Sequence, residues 1–405
     1  MDLFEKCYNY TIAKEVMSAG FYPYFKPMRG NENNMMDDGG QKLIMFGSNN
    51  YLGLTSHPKV MEAAMNAIKQ YGTSCTGSRF LNGTMHLHEE LEHALAQWLG
   101  KESALVFSTG MQTNLGVISA LCDRNDYVII DKHAHASLID GARLSWGKIK
   151  RFRHNDTEDL KKVLETIPAE SGKLIVVDGV YSMEGDIAPV PEIMAIAASY
   201  EAKVLVDDAH ATGVLGNGRG TEAYFGINNV DLITSTFSKS FASLGGFVAG
   251  KEEIIHYIKH IARSMIFSAS LAPPNAASAL AALKIMQQEP ERIKRVNEIG
   301  RRVKAELTAM GFETGHSQTP IVPIIIGDNI ITMKAWKFLY ENGIFVNAVL
   351  APAVPEGMQL LRTSYMATHT DEQVTRALEL FHEMGKQFGL LKNGLEHRVK
   401  VADMK

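Results

Sequence analysis

Short apolar runs alternate with segments of helical periodicity along most of this chain. Residues 103–107, 127–130, 148–152, 174–177, 203–206 and 231–234 are brief apolar or β-branched stretches that read as strands. Between them, 57–71, 87–99, 156–166 and 192–200 repeat apolar positions every three to four residues, the spacing of one helix face. That alternation predicts the α/β class, with a mostly parallel sheet covered by helices on both faces. The pattern changes after Gly250. Helices dominate over 252–310, with Pro273-Pro274 setting a helix start. Strands near 321–326 and 360–364 then enclose a helix over 332–341, and a last helix runs over 371–388. These read as a smaller α+β domain. Ahead of the sheet, residues 4–20 read as one amphipathic helix ending at Gly20, and Asp37-Asp38-Gly39-Gly40 marks a hairpin. The expected organisation is an N-terminal helix and arm over 1–41, a large domain over 42–290, a small C-terminal domain over 291–390 and a mobile tail over 391–405.

A length of 405 residues suits two or three such units. Apolar and charged contents of 45% and 21% are ordinary for a globular protein. A net charge of −4 with no block of Lys or Arg argues against a nucleic-acid partner. The start of the chain lacks the basic arm and apolar core of a signal peptide. No apolar run approaches the roughly 20 residues that cross a bilayer. Cys7, Cys75 and Cys122 are scattered without disulfide or zinc spacing, which fits a reducing cytoplasm. His86 and His88 stand too close together, with no cysteine near, and no metal site is expected.

The chemistry gathers at strand ends. The 203–206 run is followed by Asp207-Asp208-Ala209-His210, and the 231–234 run by Thr236-Phe237-Ser238-Lys239 and then Gly245-Gly246. In parallel α/β sheets, functional groups collect beyond the carboxyl ends of strands. An acid, an imidazole and a lysine there suit pyridoxal phosphate, whose aldehyde takes a lysine and whose ring nitrogen takes a carboxylate. A phosphate needs backbone N–H groups at a helix start. Phe107-Ser108-Thr109-Gly110-Met111 offers one, and Thr236 is a second donor. His133 and His135 follow another strand end, and spacing prefers neither as a cover for the ring. Ser182 follows the 174–177 strand, within range of cofactor oxygens. The Gly-, Ser- and Thr-rich loop over 72–84 supplies donors for an anion. Arg362 lies on an apolar strand, where a buried guanidinium calls for a carboxylate.

These residues carry a resemblance. Phe46-Gly47-Ser48-Asn49-Asn50-Tyr51-Leu52-Gly53-Leu54, Asp207-Asp208-Ala209-His210 and Thr236-Phe237-Ser238-Lys239 stand in the order seen in the α-oxoamine synthases. These are pyridoxal-phosphate transferases of fold type I that join an amino acid to an acyl-CoA, and the similarity runs over residues 12–388. The resemblance implies that Lys239 holds the cofactor aldehyde, Asp207 the ring nitrogen and His210 the phenolic oxygen. His135 would stack on the ring and touch the substrate carboxylate, whereas His133 does not match. Gly110, Met111 and Thr236 would bind phosphate. The segment near Ser268 and Ser270 would reach across a homodimer interface toward the partner's phosphate.

Within the family, the wording of 77–84 and 267–270 is most similar to soluble bacterial members. Those join L-serine to palmitoyl-CoA, giving 3-oxosphinganine, CoA and CO2. A long-chain product further implies transient contact with a membrane surface. The alternatives are glycine C-acetyltransferase, 8-amino-7-oxononanoate synthase, or a non-catalytic partner subunit. The last is disfavoured because Lys239, Asp207 and His210 are all present. One departure stands out: some relatives carry an Arg twelve residues before Arg362, where this chain has Leu350. Asn50 and Ser78 then join Arg362 as candidates for holding the substrate carboxylate.

Overall fold

A computed structural model describes residues 2–32 and 34–392; the remainder of the expected C-terminal tail, 393–405, lies outside the described residues. Before the main sheet the chain forms β1 (Gly30–Glu32), β2 (Met35–Asp37) and β3 (Lys42–Met45), with β2 and β3 paired antiparallel around the expected hairpin. The main sheet holds β4 (Ser103–Phe107), β5 (Tyr127–Asp131), β6 (Lys148–Phe152), β7 (Lys173–Asp178), β8 (Lys203–Asp207), β9 (Leu232–Thr236) and β10 (Gly246–Gly250). Its order is β4-β10-β9-β8-β7-β5-β6. Every neighbouring pair is parallel except the two made by β10. Strands β5, β7 and β9 are buried throughout, which explains why 127–130 and 174–177 are continuous apolar runs rather than alternating ones. Each fully buried Val, Leu or Ile there contributes about 1.5–3 kcal/mol of transfer free energy.

The antiparallel strand β10 is not read from the sequence, because Gly246-Phe247-Val248-Ala249-Gly250 is short and begins and ends on glycine. Close packing explains the glycine at its start. A Cβ on Gly246 would come within 2.7 Å of the Gly110 Cα and 2.6 Å of the Thr113 hydroxyl. The 4–20 expectation also changes. The segment forms two short helices, Glu5–Tyr8 and Ile12–Ser18, and neither buries a residue. Leu3, Phe4, Tyr8, Tyr10, Ile12 and Met17 are all exposed, so no core within this chain supplies the packing that would hold one long helix.

After Gly250 the helices Glu252–Ile261, Pro273–Gln288 and Pro290–Met310 follow. Strands β11 (Ile321–Ile325), β12 (Ile344–Phe345), β13 (Asn347–Val349) and β14 (Leu360–Ser364) come next, then the helix Asp371–Phe388. Strands β11, β14 and β13 form an antiparallel sheet with Arg362 opposite Pro323 and Asn347. Strand β3 pairs in parallel with β12, and Phe46 is buried in one cluster with Trp336, Tyr365 and Phe381. The residues after β3 are thereby stitched to the C-terminal unit. This places Asn49 against Arg362 and the Ser48 carbonyl against the Ser364 hydroxyl.

Candidate active site

Three strands of the main sheet end on the groups that line one cavity of about 280 Å³: Asp178 on β7, Asp207 on β8 and Thr236 on β9. His135, His210 and Lys239 close the same chamber, with Gly110 and Met111 on its rim. At the rim, Thr109 caps the Gly110–Leu121 helix by accepting from the Gln112 N–H at 3.0 Å. The first N–H groups of that twelve-residue helix open toward the chamber. A Cβ on Gly110 would meet Thr236 at 2.8 Å, so only glycine lets these two donors share one cradle.

Asp207 is buried and doubly held. Its Oδ2 accepts from the Asn114 amide at 2.6 Å, and its Oδ1 from the Ala209 N–H at 2.9 Å. The same Asn114 amide donates to the Ser137 hydroxyl at 2.8 Å, which lies 2.7 Å from His135 Nδ1. His135 Nδ1 also accepts from the Ser137 N–H at 3.1 Å. A backbone N–H can only donate, so this nitrogen is unprotonated and the ring proton sits on Nε2. Burial, with help from the Lys239 charge, lowers the His135 pKa and keeps the ring neutral. His210 is likewise held well below the usual imidazole range by burial and by Lys239 and Arg362. Its Nδ1 lies 2.7 Å from the Tyr51 hydroxyl, whose own pKa burial pushes up to about 12.

Lys239 feels opposing charges. Burial lowers its pKa to about 8 and Arg362 adds to the effect, while Asp207 pulls the other way. A fraction of the amine is therefore neutral near physiological pH and able to attack an aldehyde. Asp178, which accepts from the His135 N–H at 2.9 Å, is pushed well above the carboxylate range by burial and by Asp207. One carboxylate of this pair stays protonated, and the site carries a single anionic partner for a cation.

Arg362 forms the other end of the site. It is buried, and its contacts are neutral: the Ser182 carbonyl at 2.5 Å, Asn49 Oδ1 at 2.9 Å and the Ser364 hydroxyl at 3.5 Å. Among the described residues no carboxylate lies within ion-pair distance of it. A buried guanidinium without a counter-ion is costly, and a bound carboxylate relieves that cost.

The structure brings together Lys239, Asp207, His210, His135, Gly110, Met111 and Thr236, and it sets the other expected residues elsewhere. Asn50 is spent on its own turn, donating to Thr55 Oγ1 at 2.9 Å and accepting from the Leu54 N–H at 3.0 Å; its neighbour Asn49 faces Arg362 instead. Ser182 contributes a carbonyl to Arg362 rather than a hydroxyl to the cofactor chamber. The Ser78 hydroxyl is buried without a hydrogen-bond partner, and Ser78 does not line the cavity. Its loop is tied down by Ser270, whose N–H and hydroxyl both donate to the Gly77 carbonyl. Ser268 accepts from the Gln112 amide at 2.9 Å, beside this chain's own helix start. His133 points away, toward Glu184. Leu350 follows β13 and is not part of the chamber. Sequence reading missed Asn114, Ser137, Asp178, Tyr51 and Asn49. The spacing of Asn114, one helical turn after Gly110, was the available signal for the first.

The donor set fits pyridoxal phosphate. It offers a glycine-lined helix start with Thr236 for a phosphate, an anionic carboxylate for a ring nitrogen, a neutral imidazole to cover a ring, and an amine of lowered basicity. A family model described as aminotransferase class I and II matches residues 41–381. The chain is 49% identical to a serine palmitoyltransferase from Sphingobacterium spiritivorum, over 95% of this chain and 97% of that protein. It is 42% identical to an 8-amino-7-oxononanoate synthase from Symbiobacterium thermophilum, over 92% and 96% of the two chains. A solved SPT structure holding pyridoxal phosphate superposes with a TM-score of 0.93 at 37% identity, covering 96% of this chain and all of that one. Geometry and likeness agree: the chain belongs to the aminotransferase class I and II family and, within it, to the pyridoxal-phosphate-dependent α-oxoamine synthases.

Proposed function

We propose that this protein is a serine palmitoyltransferase, joining L-serine to palmitoyl-CoA and releasing 3-oxosphinganine, CoA and CO2. The observation that carries the chemistry is that Lys239 feels both Asp207 and a buried Arg362 that has no carboxylate partner among the described residues. The choice of serine and a long acyl chain rests on relatives of 46–49% identity that bear that name. Bound pyridoxal phosphate supplies a sink for the electrons released at the amino acid's α-carbon. Gly110, Met111 and Thr236 would hold its phosphate, His135 would cover its ring, His210 would meet its phenolic oxygen, and Lys239 would hold its aldehyde carbon. Asp207, anchored by Asn114 and the Ala209 N–H, would keep the ring nitrogen protonated.

The rest of the work falls to this chain's own groups. Arg362 receives the serine carboxylate, and the Nε2–H of His135 donates to it from the ring side. Held at both points, the carboxylate cannot leave first, so the Cα–H bond is the one presented for cleavage. Lys239, with basicity lowered by burial, takes that proton. The carbon attacks the acyl thioester, the CoA thiolate departs, and CO2 is lost afterward. A homodimer is part of this reading. Leu244, which lines the chamber, and Phe80, Leu81 and Phe267 are large apolar side chains left exposed in the single chain, which supports a covered face. The reading also includes a cytoplasmic location and transient contact of the long-chain product with a membrane surface. Among the described residues no helix is long and apolar enough to cross a membrane.

An assay of serine, glycine and alanine against short and long acyl-CoAs tests the reaction. Serine with palmitoyl-CoA is expected to dominate, and preferred turnover of glycine or alanine with a shorter thioester would reassign the chain within its family. A light-scattering mass equal to one 44.7 kDa chain in the fully active protein would remove the homodimer.

A further inference from the structure

His133 and His154 take no part in the chemistry above, yet they form two stacked rungs beside it. His154 Nδ1 lies 3.0 Å from Asp131 Oδ1, and its Nε2 lies 2.9 Å from Asp186 Oδ2. Asn155 reinforces both ends, its N–H donating to Asp131 Oδ2 and its amide to Asp186 Oδ2, each at 2.9 Å. The His133 ring lies flat on the His154 ring, with centroids 4.3 Å apart and planes at 11°. Its Nδ1 is 2.9 Å from Glu184. Tyr181 meets the His154 ring edge-on at 4.4 Å. Burial opposes a charge on His154, but hydrogen bonds and charges from Asp131 and Asp186 prevail and raise its pKa to about 10. The inner rung is therefore an imidazolium clamped between two carboxylates.

What the rungs join gives them meaning. On one side, Asp131 ends β5, and its Oδ1 accepts from the His133 N–H at 2.7 Å, which starts the turn leading to His135. On the other side is the strap 181–186. Its Ser182 carbonyl takes the Arg362 Nε–H, and its Gly185 carbonyl takes the Gln318 N–H and the Thr319 hydroxyl, each at 3.0 Å. Gln318 and Thr319 lead into β11, the strand paired with the one that bears Arg362.

We propose that the stacked His154 and His133 rungs are a positioning device that couples His135, over the cofactor, to Arg362, which receives the amino-acid carboxylate. The inference rests on the function proposed above. With the rungs closed, the two groups that fix the carboxylate share one frame, although they come from different sheets and are more than 200 residues apart in sequence. With the rungs open, each group still makes its local contacts, but the angle between them is no longer set.

The test uses the holoenzyme and a double-mutant cycle, reading amino-acid binding from the cofactor absorbance band and from calorimetry. His154→Gln is expected to raise the amino-acid dissociation constant about tenfold, while cofactor content and the KM for the acyl thioester stay within about twofold. Arg362→Lys weakens binding by itself. In the combined variant the two losses should fall well short of multiplying, because both act through one contact. Losses that multiply fully would overturn the proposal. So would an equal decline in every parameter, which marks a general loss of structure. Glu184→Gln and His133→Gln open only the half-exposed outer rung, and they carry the same cycle if His154→Gln does not yield folded protein. The cycle is run with whichever of serine, glycine or alanine shifts the band of the unaltered protein. A protein that ignores serine thus refutes the proposed substrate without deciding the role of the rungs.

Discussion

The two ends of the chamber are built on different plans. The cofactor end comes from neighbouring strands of one sheet, and its groups hold one another: Asp207 through Asn114, Asn114 to Ser137, and Ser137 to His135. The carboxylate end is assembled from Asn49, Ser182 and Arg362, which lie on three separate stretches of chain and present one cation with only neutral partners. A linked network keeps its geometry when one distal member is lost, whereas a single desolvated charge gives most of the binding and has no substitute. The cofactor end is expected to tolerate damage in binding but not in chemistry. The carboxylate end should show the reverse.

The largest expected effect is at Lys239. Lys239→Ala should retain some cofactor in the phosphate cradle and lose activity altogether, with no peptide labelled after borohydride reduction; a label on another lysine would place the reactive amine elsewhere. The lowered pKa adds a sign. The neutral amine accumulates as pH rises through about 8, so the rate at which apo-protein takes up cofactor should climb to about that pH and then level off. A climb that continues toward the ordinary lysine range of about 10.4 would mean that the site does not desolvate the amine.

Asp207→Asn comes next. It keeps the hydrogen-bonding shape and removes the charge, and it should raise the barrier by about 3 kcal/mol, roughly a hundredfold in turnover. Cofactor content should be nearly unchanged. Turnover at the wild-type level would show that the ring nitrogen is served by another group.

At the opposite end, Arg362→Ala should weaken serine binding by about ten- to a hundredfold, since hydrogen bonds to charged partners are each worth about 1.5–3 kcal/mol. The melting temperature of the ligand-free protein should not fall in proportion, because a buried charge without a counter-ion is removed. Equal losses in binding and in thermal stability would mark Arg362 as structural.

The smallest effect is expected for Ser78→Ala. A buried hydroxyl with no partner contributes nothing to the folded state, so stability should hold or rise slightly and serine affinity should stay within about twofold. A tenfold weakening would return Ser78 to the carboxylate site by way of a second subunit, and would erase the contrast between one cation and many donors.

The same contrast governs what could be read from the chain. The strand that carries Asp207 announces itself by the apolar run Val204-Leu205-Val206, and the one that ends on Thr236, three residues before Lys239, by Leu232-Ile233 and β-branched threonines, because a strand buried on both faces admits few charges. The positions just past their ends follow from the rule that parallel strands present their functional groups at one edge. Composition and spacing therefore reached the α/β class, the type of cofactor, and the strand-end groups Asp207, His210, Thr236 and Lys239 with the helix start at Gly110. Strand β10 escaped because its first glycine, Gly246, answers to close contacts with Gly110 and Thr113, which no local pattern encodes. The long N-terminal helix failed for the opposite reason: periodicity is present, but this chain supplies no partner face. Asn49 was passed over for Asn50, since two adjacent asparagines are equal as letters and only the turn at Leu54 and Thr55 decides which one is consumed. Spacing likewise did not separate His133 from His135; the family resemblance chose His135, and the fold sets it at the chamber with His133 against Glu184. Burial and the helical or strand period are local consequences of residue type, so the sequence by itself determined them. Which polar group meets which depends on segments far apart in the chain, and only tertiary packing brought those together.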